Sequence, residues 1–295
     1  MNAASPSFSV SFPSLLEAAE ERSAVQQKLF YGVVGGQIIA LAVAAAAALL
    51  PSDVLGGLGP IVVLIVFGGI ILVQVSKIAE KAEREWYEAR AASESIKAAS
   101  WEYAVGGEAF RLSDSSSKER FRETLTGFLD QLTRLDVPTA SRANASVTET
   151  MAELRASSLE VRRAVYVRDR VDDQLRWYSK KSNWNKRRAR WGRISVIVVS
   201  LVALVLGIVR IRGHFDTDLM SVLVTGTTGI ITWVQAKKYT QLSEAYSVTS
   251  HDISLLASAV QENRTEDEWA QFAHDAEAAF SREHTMWKAR RQGPV

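Results

Sequence analysis

The stretch 177–239 limits the fold more than any other part of the chain. It opens on a basic and aromatic collar: Trp177, Tyr178, Lys180, Lys181, Trp184, Lys186, Arg187, Arg188, Arg190, Trp191 and Arg193. Residues 194–209 then carry no charge, a loop over 210–218 follows, and a second uncharged segment, 219–236, ends at Lys237 and Lys238. A bilayer core is about 30 Å thick and takes roughly 20 apolar residues of helix to cross. The pattern predicts a transmembrane helical hairpin, with Arg193 and Arg210 snorkelling to the two interfaces. An earlier pair, 29–50 and a second segment within 54–76, repeats the arrangement around a loop rich in Gly and Pro. The expected fold class is therefore all-α: a polytopic membrane protein with two same-orientation transmembrane hairpins, four spans in all, and long cytoplasmic helices forming a bundle. The expected boundaries are 1–28 for a cytoplasmic N-terminal segment, 29–76 for the first hairpin and 77–193 for a cytoplasmic helical region. The second hairpin takes 194–236 and the C-terminal cytoplasmic helices 237–295.

Composition narrows the chemistry. The chain has 295 residues, no Cys, four His and a formal net charge of +2. Without Cys there are no disulfides, thiolate metal sites or thiol nucleophiles. His214, His251, His274 and His284 show no ligand spacing, and no H-E-x-x-H or phosphate-loop pattern occurs, so no metal and no cofactor is expected. The spans contain no ionisable residue, which argues against proton-coupled transport and intramembrane hydrolysis. An enzyme is not expected. Glu17, Glu20 and Glu21 ahead of the first span are unlike the short basic lead of a cleaved signal.

Within the second hairpin, Ser221, Thr225, Thr228, Thr232 and Gln235 fall at offsets 0, 4, 7, 11 and 14, on one helical face. In hydrocarbon such a stripe should face protein or water. It reads either as a pore lining or as a packed helix–helix seam, since Ser and Thr also bond between helices or to their own carbonyls. In the first span, Gly32, Gly36, Ala40, Ala44 and Ala48 repeat every fourth position, a face another helix can approach closely; Gln37 is its one strongly polar side chain and a second pore candidate. Lysine and arginine flank the spans at Arg22, Lys28, Lys77, Lys81, Arg84, the collar, Lys237 and Lys238, whereas only Arg210 and Arg212 occupy the opposite loops. Positive charge stays inside, so both termini are expected in the cytoplasm. Arg210, Arg212 and His214 would set the charge of an outer vestibule. The collar residues Lys180, Lys181, Trp184, Lys186, Arg187, Arg188, Arg190, Trp191 and Arg193 suit anionic headgroups of the cytoplasmic leaflet, at about 1 kcal/mol per charge, rather than nucleic acid.

The remaining segments read as amphipathic helices. Ser14 with Glu17, Ser116 with Glu119, Ser146 with Glu149 and Thr265 with Glu268 have capping-box spacing. Trp86, Arg90, Glu94, Lys97 and Trp101 form a stripe, either an exposed salt-bridged face flanked by aromatic packing or a subunit interface. Gly106 and Gly107 should stop that helix. A helix from 146 that ran to Trp191 would be roughly 70 Å long, so it should project as a stalk or break near 182–185. Tyr239, Leu242, Tyr246, Thr249 and Ile253 give a coiled-coil-like seam.

Each half thus has a lead-in helix, a hairpin and a charged exit helix. The run Trp86-x3-Arg90-x3-Glu94-x2-Lys97-x3-Trp101, then Tyr166…Arg170…Gln174…Trp177-Tyr178, then Glu277…Ser281-x-Glu283-x3-Trp287, resembles the SLATT superfamily (SMODS and SLOG-associating transmembrane effectors). The likeness is closest to its four-helix branch and covers nearly the whole chain. The resemblance implies a pore-forming effector of bacterial conflict systems in the inner (plasma) membrane, triggered by a sensor partner or a nucleotide signal; a single four-helix unit is too thin to enclose a pore, so a homo-oligomer is expected. A non-conducting membrane scaffold or signalling module is the alternative.

Overall fold

The computed structural model describes residues 9–49, 58–133, 147–213, 219–258, 260 and 265–291, with side chains up to residue 280. Among these the chain is helical, with no strand. The helices are α1 Ser14–Ala47, α2 Leu58–Ser76, α3 Ile78–Val105, α4 Ser117–Thr133, α5 Glu149–Ala156, α6 Leu159–Tyr166, α7 Asp172–Ile211, α8 Leu219–Lys237, α9 Tyr239–Ser258 and α10 Glu266–Arg291. A five-residue π-helical turn, Val167–Val171, joins α6 to α7. Four runs are long and apolar enough to cross a membrane: Ser14–Ala47, Leu58–Ser76, Leu159–Ile211 and Leu219–Ser258.

Two compact units divide the fold. The ionic unit draws on residues within 1–25, 85–182 and 244–295, and the apolar unit on 26–84 and 183–243. Neither is a half of the sequence. Each repeat gives its hairpin to the apolar unit and its lead-in and exit helices to the ionic unit.

The ionic unit has a conventional core. Phe12, Trp101, Tyr166, Trp269 and Phe272 form a continuous row of rings, with centroids 5.3, 5.7, 5.7 and 5.6 Å apart. Tyr103, Phe110 and Phe121 make a second cluster. Burying a large aromatic side chain stabilises by roughly 1.5–3 kcal/mol, and edge-to-face pairing adds to this. On α9 the seam residues Tyr239, Tyr246, Thr249 and Ile253 are buried, and Trp177 and Tyr178 of α7 meet Tyr246 edge-on.

Three local expectations are corrected. No break occurs at 182–185: α7 runs unbroken for 40 residues, and the interruption lies earlier, where Ser157 and Ser158 leave the helical conformation. The Ser158 side chain accepts from the Val161 amide and so starts α6. Capping also differs. Thr148 caps α5 through the Met151 amide, Asp114 rather than Glu119 accepts from the Ser116 amide and hydroxyl ahead of α4, and the Ser14 hydroxyl is buried with no hydrogen-bond partner among the described residues. Only Thr265 and Glu268 form the reciprocal box, at 3.3 and 3.0 Å; Ser146 lies outside the described residues. Finally, Arg90, Glu94 and Lys97 are half-buried rather than exposed, between the buried Trp86 and Trp101.

In the apolar unit, α8 packs on α1 and α7 through small residues. A Cβ placed on Gly35 would lie 3.4 Å from the Trp233 ring, one on Gly229 would meet Ile38 at 2.8 Å, and one on Gly192 would collide with Val234. Close backbone approach is what glycine provides where lipid supplies no hydrophobic drive for association. At the end of α8, Lys237 caps the contact, its Nζ 3.2 Å from the Tyr31 ring centre and 4.8 Å from that of Trp233.

Candidate functional site

Two features rise above packing, one in each unit. The first is the polar face of α8. At 100° per residue, Ser221, Thr225, Thr228, Thr232 and Gln235 span about 80° of the helix surface. Their centre lies about 100° from the Gly229 and Trp233 face that meets α1, and about 140° from Val234, which meets α7. The stripe therefore turns away from both neighbours. Ser221, Thr228, Thr232 and Gln235 are exposed and Thr225 is half-buried. Thr225 and Thr227 donate to the Ser221 and Leu223 carbonyls at 2.8 Å, which satisfies their hydroxyls within the helix. Among the described residues, α8 meets α1 through Gly229 and Trp233 rather than through the stripe. Gly32 and Gly36 have open space around them, and Gln37 is half-buried.

The other predicted residues are spread along the same unit and its borders. Lys180, Lys181, Trp184, Lys186, Arg187, Arg188, Arg190, Trp191 and Arg193 are all exposed along α7. Arg188 lies over the Trp184 ring at 5.2 Å, and that ring meets Tyr239 edge-on. Arg210 is half-buried and Arg212 exposed; His214 lies outside the described residues.

The second feature was not anticipated as a site. Tyr166, Arg170 and Glu277 converge in the interior of the ionic unit. Arg170 Nε and Nη2 donate to the two Glu277 oxygens at 3.0 and 2.6 Å, and the Tyr166 hydroxyl donates to Oε1 at 2.8 Å. The Arg170 and Glu277 side chains are only 2% and 3% exposed, so the pair is shielded from solvent. Burial opposes the charge on Arg170, but the Glu277 carboxylate outweighs it and holds the guanidinium above its ordinary value. Burial also pushes the Tyr166 hydroxyl well up, and nearby Glu277 adds to the effect. Arg170 sits in the π-helical turn, the kind of local irregularity that recurs at functional positions. Its planar fork lies 4.8 Å from the Phe280 ring centre.

Beside this cluster, an open pocket of about 310 Å³ is lined by Glu102, Phe110, Thr124, His274 and Glu277, among others. Glu102 Oε1 accepts from the Ala109 amide at 2.9 Å and lies 2.8 Å from His274 Nδ1. The hydrogen bond to Glu102 raises the His274 pKa; partial burial opposes it, and the charges of Glu102, Asp275 and Glu108 assist. A raised folded-state value means that protonation of His274 stabilises the fold fully below the unfolded value of about 6.5. That contribution disappears as pH rises through the higher folded value. Wild type is therefore expected to lose more thermal stability between pH 6 and pH 8.5 than His274→Gln, as read by melting temperature in detergent. Among the described residues no cluster of His, Asp and Glu could hold a metal ion.

With this geometry in hand, comparison with known families is informative. Residues 13–163 match the SMODS and SLOG-associating 2TM effector domain 3, and residues 166–287 match the SMODS and SLOG-associating 2TM effector domain 1. The two matches meet at the end of α6, next to the π-helical turn. No curated protein matches the chain, and no solved structure does.

Proposed function

The chain belongs to the SLATT superfamily, carrying two of its two-span effector domains in tandem, and from that premise we propose that it is a membrane effector that assembles into an ion-conducting pore. The observation that supports this is the direction of the α8 stripe. A polar face in a span is costly against lipid, and this one is exposed on its own chain. Copies arranged around an axis would give it water and one another. Ser221, Thr225, Thr228, Thr232 and Gln235 would line the path, with Gln37 as a lesser contributor. Arg210, Arg212 and His214 would give its outer mouth an anion preference.

In this reading both termini and the ionic unit face the cytoplasm. The α7 collar holds anionic headgroups there, and the helices of the ionic unit receive the opening signal from a sensor partner or a small signal molecule. The activity is permeation rather than catalysis. A non-conducting scaffold would need the stripe dry, and the open surroundings of Gly32 and Gly36 offer a face on a second copy that could achieve that.

Planar bilayers containing the purified protein test the proposal. Wild type is expected to conduct. Thr228→Val, which keeps the shape and removes one hydroxyl, is expected to change unitary conductance severalfold, while Ile197→Val on the lipid-exposed face of α7 leaves it unaltered. No wild-type conductance, or conductance indifferent to Thr228, refutes the pore.

A further inference from the structure

Each hairpin ends at a lysine held in a backbone conformation that lysine seldom adopts. Lys77, between α2 and α3, has φ 52°, and Lys238, between α8 and α9, has φ 51°. They are the only described non-glycine residues with positive φ. For L-residues this region is disfavoured because Cβ crowds the following carbonyl oxygen. Such outliers persist only where the surroundings impose them.

The two corners match in detail. Helices α2 and α8 are each 19 residues long, and each lysine follows at once. The Lys77 amide donates to the Gln74 carbonyl at 3.2 Å, and the Lys238 amide to the Gln235 carbonyl at 3.1 Å. The next helix then starts on the lysine's own carbonyl, which accepts from Lys81 in one copy and Leu242 in the other, both at 2.9 Å. Gln followed three positions later by Lys recurs although the halves match two different domain families. The corners are also joined: Lys238 Nζ pairs with Glu83 Oε1, early in α3, at 3.3 Å. Glycine would take the same corner without strain, so a lysine at both corners leaves each bend metastable.

We propose that Lys77 and Lys238 are paired hinges. In this structure a left-handed lysine interrupts the helix between each span and its exit helix. When the lysine moves to the right-handed helical region, span and exit helix fuse into one straight helix, and the Lys238–Glu83 pair makes the two corners respond together. The hinge stands on backbone geometry alone; its use as a gate rests on the pore reading above.

The absence of cysteine permits a clean distance measurement. Spin labels on Ile71→Cys and Arg84→Cys, in liposomes, bracket the first hinge. A straight helix between them would separate the α-carbons by about 20 Å, and a bend shortens this. Lys77→Gly is expected to enrich the short distance about fivefold or more. Lys77→Asn, which tolerates the left-handed region better than lysine, is expected to shift the distribution the same way as glycine but by less. Lys77→Val, whose branched side chain does not tolerate positive φ, is expected to shift it toward 20 Å. If glycine fails to enrich the short distance, the hinge is overturned, whether or not the valine variant folds. Conductance of the same variants reads the pore separately. Distances that respond in a protein that never conducts would remove the pore and leave the hinge.

Discussion

Glu277→Ala is expected to destabilise the protein by about 3–5 kcal/mol, enough to lower its melting temperature severely or abolish folded expression. The cause is what the substitution leaves behind rather than the attraction it removes. Arg170 would remain buried and charged with its two Glu277 bonds gone, and the Tyr166 hydroxyl would lose its acceptor. Arg170 Nη1 already has no hydrogen-bond partner among the described residues, so the site holds no reserve. A buried ion pair as such contributes little net stability, because desolvation nearly cancels its Coulomb energy. The double change Arg170→Met with Glu277→Leu is therefore expected to recover most of the loss. Melting of the three proteins in one detergent checks this: a single variant near wild type, or a double variant as unstable as the single, would contradict it.

Gly106→Ala is expected to cost about 2–4 kcal/mol, for two independent reasons. Gly106 has φ +77° and ends α3 in a turn of Schellman type, the Gly107 amide donating to the Glu102 carbonyl at 2.8 Å. A left-handed residue with a Cβ is strained there. That Cβ would also lie 3.0 Å from Leu112 and 3.2 Å from Arg162 Nη1. The nitrogen concerned donates to the Val105 carbonyl at 2.7 Å. Trp269 Nε1 donates to the same carbonyl at 2.9 Å, and Arg155 Nη1 takes that of Tyr103 at 2.6 Å. The negative end of α3 is thus neutralised by two arginines from later helices, and crowding Gly106 disturbs that arrangement together with the turn. Urea denaturation of this variant against Gly127→Ala, at an exposed position of α4, separates the local strain from a general effect of losing glycine.

The four spans were legible in the sequence because no charge interrupts them, and the end of α3 because two adjacent glycines follow it. The direction of the α8 stripe was not. Helical phase tells which residues share a face, but the neighbour that face meets depends on Gly229, Trp233 and Val234 finding their partners on α1 and α7. The interior cluster was hidden for a different reason. Arg162, Tyr166 and Arg170 recur every fourth residue beside Val165 and Val171, and an arginine on an apolar face is ordinarily read as a surface residue with a long stem. That repetition of Arg among buried positions was one available signal, and the runs that carry the family resemblance contain Tyr166, Arg170 and Glu277 without telling that they meet. Its acceptor Glu277 lies 107 positions away from Arg170, beyond the reach of any local pattern. The helix interruption was misplaced because Ser157 and Ser158 resemble exposed helix residues, whereas their side chains bond locally and compete with the helix.

The interleaving of the two units has a consequence for biosynthesis. The first hairpin can leave the ribosome and enter the bilayer early, but α3 cannot bury its end until Trp269 arrives, 164 residues after Val105. The N-terminal segment is tied to Thr150 across 139 residues. Folding of the ionic unit therefore waits for the last helix to be made. Until then the nascent chain sits anchored but unfinished, so a message broken off between α7 and α10 yields a protein that carries Arg170 without its acceptor.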